Sequence, residues 1–140
     1  MIFGNDRRQL RQTFQLAWQK TLGREVLTPL QQQIADVITD HPEYHALLAD
    51  PGSIECDFIP DQGQENPFLH MAMHLAIREQ VSTNRPTGIR AIHQRLAKRL
   101  GGVLPAEHAI IECLGVVLWE AQRSNRIPDE DDYLARLQRL

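Results

Sequence analysis

Helix punctuation, more than any other feature, constrains what this chain can fold into. Thr28-Pro29-Leu30-Gln31 reads as a complete helix start. Thr28 stands at the N-cap and Pro29 at the first helical position, where its missing N–H costs nothing. Gln31 stands where a side chain can reach back to the cap. Stops are written as plainly, at Gly23, Asp50-Pro51-Gly52, Arg85-Pro86-Thr87-Gly88 and Gly101-Gly102. Between them apolar residues recur at the helical period: Leu10, Phe14, Trp18 and Leu22, then Leu30, Ile34, Val37 and Ile38. No stretch reads as strand. The spacing predicts helices over about 6–21 (capped by Asn5), from Pro29 to the break at His41-Pro42, and over 66–83, 88–100 (capped by Thr87) and 105–124. A last helix starts at Asp129, and a short helical turn fills 42–49.

The expectation is an all-α fold, a compact bundle of five to six helices forming a single domain over residues 1–140. One long loop, Gly52 to Glu65, separates the second and third main helices. Gly52, Pro60 and Gly63 argue against a helix there, while Ile54, Phe58 and Ile59 are expected to turn inward. A loop of that length inside a compact domain is uncommon and often either functional or mobile.

Charge narrows the partners. With 15 basic and 18 acidic residues the formal charge is −3, so no global positive field exists to hold nucleic acid or an anionic membrane. The first residues carry Asp6, Arg7 and Arg8 where a signal peptide needs an apolar core. The longest nearly uncharged run, Ala109 to Trp119, is too short to span a bilayer. Cys56 and Cys113 are far apart and lack C-x-x-C spacing, which fits reduced thiols. A cytoplasmic protein without a membrane is expected, with room for a protein partner or a homo-oligomer.

The histidines carry the sharpest chemical signal. Two pairs, His41 with His45 and His70 with His74, are spaced by four, and His108 with Glu112 repeats that interval. On an α-helix such residues lie one turn apart on one side, so both can reach a single point, as metal ligands must. Phe68, Leu69, Met71, Met73, Leu75, Ile77 and Val81 surround His70 and His74 on nearly every side of their helix, the mark of a central one. Glu112 is the only charged side chain between Ala109 and Trp119, and a buried carboxylate needs a cation or donors. His108, Arg78, a metal or a water are its candidate partners. His70, His74, His108 and Glu112 are therefore the candidate metal ligands, for a divalent transition ion such as zinc, iron or manganese. Pro42 denies His41 a regular helical partner and makes it a cap, while His45 is read as a surface residue.

The same residues support a second reading. His70, His74 and Arg78 form a narrow polar stripe that serves equally well facing solvent. The protein is then a metal-free interaction or regulatory module, with the basic face of Arg90, Arg95, Lys98 and Arg99 as its contact surface. No P-loop, G-x-G-x-x-G or G-x-S-x-G string is present, and the sequence names no reaction.

Met1-Ile2-Phe3-Gly4, His41-Pro42-Glu43-Tyr44-His45, the run from Asn66 to Leu75 and the run from Glu107 to Leu114 together resemble a family of small bacterial proteins. That family is catalogued as domain of unknown function 1841, and the resemblance covers essentially the full chain. It implies a compact helical domain and brings no established activity or ligand.

Overall fold

A computed structural model describes residues 3–58 and 65–140, with side chains from residue 7 onward. Among the described residues every regular element is helical. The α-helices are α1 (Phe3–Leu22), α2 (Pro29–Thr39), α3 (His45–Ala49), α4 (Pro67–Thr83), α5 (Ile89–Leu100), α6 (Val103–Arg123) and α7 (Glu130–Gln138). Two 3₁₀ turns, Pro42–Tyr44 and Pro51–Glu55, complete the set. Among the described residues seven α-helices stand where five to six were expected. The difference lies at 42–49, where Pro42 forces a tight 3₁₀ turn before the chain resumes as the short α3. No described helix is long and apolar enough to cross a membrane.

Local chemistry sets the ends. Thr28 Oγ1 accepts from the Gln31 amide while Gln31 Oε1 accepts from the Thr28 amide, the reciprocal box the sequence spelled out. α1 starts at Phe3, so Asn5 lies inside the helix and does not cap it. α5 is capped without Thr87: Asn84 Oδ1 accepts from the Gly88 and Arg90 amides, with Gly88 at φ 105°, a conformation that favours glycine. Asp129 Oδ1 accepts from the Asp131 and Asp132 amides to open α7.

The chain divides into two compact units, residues 1–75 and 76–140. In the first, α1 packs on α2, α3 and the second 3₁₀ turn. Its core joins Phe14, Ala17 and Trp18 of α1 to Ile34, Val37 and Ile38 of α2, Leu48 of α3, and Phe68 and Met71 of α4. Leu22 and Leu30, expected on those stripes, are exposed helix ends. Arg11, only 2% exposed, lies inside this unit. Its Nη1 donates to the carbonyls of Ile54 and Cys56, both at 2.8 Å, and its guanidinium sits over the rings of Phe58 and Phe68. Gln15 adds bonds to the Asp50 carbonyl and the Ser53 hydroxyl. A buried cation and a buried amide thus hold the first part of the expected long loop. Ile54 and Phe58 are half-buried there; Ile59, Pro60 and Gly63 lie outside the described residues.

In the second unit α6 packs on α5 and α7, burying Ile89, Ile92 and Leu96 against Ala106, Ile110, Leu114 and Val117, with Tyr133 and Leu137 from α7. Tyr133 donates its hydroxyl to Gln80 Oε1 at 2.8 Å. Of the basic residues of α5, Arg90 closes the end of α4 by donating to the carbonyls of Val81 and Ser82, and Arg95 reaches the Leu137 carbonyl.

Candidate metal centre

The site begins with how α2 ends. Pro42 stops the helix and leaves His41 at φ −126°, ψ 65°, a backbone bend that folds its ring back onto the last turn. There Nδ1 lies 2.7 Å from the Val37 carbonyl. A carbonyl only accepts, so Nδ1 carries the proton, and in the neutral ring Nε2 is left with a bare lone pair. His41 is 2% exposed, and among the described residues its buried Nε2 has no hydrogen-bond partner. An orphaned acceptor of this kind costs about 1–3 kcal/mol and calls for an explanation. His45 behaves differently. Its Nε2 lies 2.8 Å from the Ile38 carbonyl and its ring rests on Trp18, so it is half-buried and acts as a clamp on α2, not as a surface residue.

α4 brings the other imidazoles. Asn66 Oδ1 accepts from the amides of Phe68 and Leu69, fixing the first turn and holding Glu65 just ahead of it. One turn on, His70 Nε2 and His74 Nε2 face each other at 3.1 Å. His74 is fully buried, whereas the side chain of His70 is 18% exposed. His70 Nδ1 lies 3.1 Å from Glu65 Oε1, an arrangement that keeps a proton on Nδ1. The His41 ring stands edge-on to both, with centroids 5.3 Å from His70 and 4.5 Å from His74. One ring nitrogen from each of the three comes within 4.8 Å of the others.

Tyr44 walls the site, stacked on His41 at 5.6 Å with 3° between the planes. Burial and the Glu65 charge push its phenol up to about 12, so it stays protonated and can donate toward Glu65 Oε2 at 3.4 Å. Among the described residues, the groups around the site thus include the imidazoles, a protonated phenol and the Glu65 carboxylate, with Glu43 also near Tyr44. Zinc holds nitrogen ligands at about 2.0–2.1 Å, which spaces two of them roughly 3.3 Å apart around a tetrahedral ion. The His70–His74 pair is within a few tenths of an ångström of that spacing, with the His41 ring nitrogen inside 4.8 Å of both.

The sequence reads His41 as a helix cap, whereas the structure places it beside His70 and His74. A histidine directly before the proline that ends a helix was the available signal, because only a bent chain can turn that ring back. His108 and Glu112 both lie on α6, in the second unit, and both are exposed. The buried carboxylate of α6 is Glu107, 2% exposed, and Arg78 donates to it from Nε and Nη2 at 3.0 to 3.3 Å. The expected burial of Glu112 is thus corrected. The inward face of α6 follows Ala106, Glu107, Ile110, Leu114, Val117 and Ala121, leaving Val116 and Trp119 outside. Cys56 and Cys113 are free thiols, and burial raises the Cys113 thiol above its ordinary value.

No curated protein and no solved structure matches the chain. The family model for a domain of unknown function, DUF1841, matches residues 6–139, nearly the whole length, and the chain belongs to that family.

Proposed function

We propose that this protein binds one divalent transition metal ion through the Nε2 atoms of His41, His70 and His74. The observation that carries the reading is the buried Nε2 of His41, set among two other imidazoles and given no proton donor by any described residue. A proton shared between His70 and His74 accounts for their 3.1 Å approach, but it leaves the His41 lone pair unanswered. A cation answers that lone pair and can draw on the two neighbouring rings as well. Among zinc, iron and manganese, three neutral imidazoles favour zinc or iron over manganese, which prefers oxygen. Three protein ligands also leave a fourth position open, the arrangement of catalytic zinc sites, where a bound water ionises near neutral pH. His108 and Glu112, the donors the sequence added, remain in the proposal as candidates for further coordination.

The test is a zinc titration of chelator-stripped protein, with bound metal measured after gel filtration. One equivalent is expected for the wild type and less than a tenth for His41→Ala or His74→Ala, each checked for helicity by circular dichroism. Parallel His108→Ala and Glu112→Ala proteins assign or dismiss those two donors by whether affinity falls. A wild-type chain that takes up no zinc, cobalt or iron overturns the proposal.

A further inference from the structure

The most exposed of the three rings, His70, can ligate through Nε2 only while its proton sits on Nδ1. We infer that Glu65 is the positioning residue of the centre: its carboxylate fixes the proton of His70 on Nδ1 and thereby presents Nε2 to the ion. This inference rests on the metal reading above and deepens it.

The three imidazoles differ in what orients them. A backbone carbonyl holds the His41 ring, which the core also immobilises. The His74 ring is fully enclosed. The His70 ring is the one at the solvent edge, and its Nδ1 lies 3.1 Å from Glu65 Oε1. Carboxylate–imidazole–metal arrangements of this kind make the ring a better donor and select which nitrogen binds. Glu65 is itself placed by two constraints. It directly precedes the Asn66 cap of α4, and its other oxygen lies toward the Tyr44 hydroxyl at 3.4 Å. As a plain surface ion pair this contact would count for little, since the Glu65 side chain is 65% exposed. As the second partner of a metal-bound ring it has a defined job. The charge balance of the first unit agrees with cation uptake, because residues 1–75 carry ten acidic and five basic side chains.

The experiment compares wild type, Glu65→Ala and Glu65→Gln in zinc competition titrations. It also records exchangeable, metal-shifted imidazole N–H resonances in the cobalt-loaded proteins. Glu65→Ala is expected to weaken zinc binding about 10–100-fold and to lose the His70 Nδ1–H signal to solvent exchange. Glu65→Gln keeps an oxygen that accepts from Nδ1–H, so it is expected to recover the signal and much of the affinity. Wild-type affinity together with a retained signal in Glu65→Ala overturns the assignment. Glu65→Gln behaving no better than Glu65→Ala overturns it in favour of direct ligation by the carboxylate. Failure of the wild type to bind zinc or cobalt at all removes the metal reading itself and is seen before any variant is compared.

Discussion

Replacing His41 by Asn separates the two tasks of its ring. The Asn amide nitrogen falls where Nδ1 stood and can still donate to the Val37 carbonyl, whereas Nε2 is deleted. Without metal, two effects oppose each other. The shorter side chain leaves a void of roughly 40 Å³, costing about 1 kcal/mol. Removing a buried acceptor with no partner relieves about 1–3 kcal/mol, part of which the Asn oxygen takes back by its own burial. The metal-free variant is therefore expected within about 1 kcal/mol of wild type, against the 2–5 kcal/mol typical of truncating a core side chain. With metal the two proteins separate. Free zinc a hundredfold above its dissociation constant stabilises the wild type by about 2.7 kcal/mol, and a site weakened a hundredfold retains only about 0.4 kcal/mol of that. Urea unfolding followed by circular dichroism, in chelator and in buffered zinc, reads both quantities. A variant that loses more than about 2 kcal/mol without metal yet keeps the full zinc increment would refute the reasoning. His41 would then be packing, and its Nε2 no ligand.

Two further outcomes follow from groups outside the metal centre. Arg11→Met keeps most of the stem volume but strips the carbonyls of Ile54 and Cys56 of their donor, so urea unfolding should show a loss of about 2–4 kcal/mol; a change below about 0.5 kcal/mol would mean that solvent replaces the guanidinium. Burial raises the Tyr133 phenol above its ordinary value of 10.0, so the folded chain holds that proton more tightly than the unfolded one. Its contribution is complete below about pH 10 and falls as pH rises beyond it. Tyr133→Phe should flatten that alkaline decline, which parallel denaturation at pH 8 and at about pH 11 would check.

Signals that act within a turn or two of helix are legible in the sequence. The Thr28–Gln31 box, the Asn66-Pro67 start of α4, the Gly101 stop and the Asp129 start of α7 each satisfy backbone groups from residues a few positions away, so spacing alone announces them. The one-turn meeting of His70 and His74 belongs to the same class, because helix geometry fixes it whatever surrounds the helix. Which side of an evenly apolar helix faces inward is another matter. On α6 the apolar residues run almost all the way round, and packing on α5 and α7 turned Glu107 in and Glu112 out. The burial of Arg11 was equally hidden, since its partners are carbonyls more than forty positions along the chain.

His41 stands between these cases. Its sequence told that α2 must end there, because proline forbids the α conformation to the residue before it. That the ring then folds back, protonates on Nδ1 against Val37 and leaves Nε2 beside two imidazoles from α4 depends on a core shared by α1, α2, α3 and the start of α4. Most helix boundaries were legible in the chain alone, for the bonds at Thr28, Asn66, Gly101 and Asp129 are local, whereas the starts of α1 and α5 were not. Only tertiary packing decided which polar atoms were sealed away from water together, because burial is a property of neighbours distant along the chain.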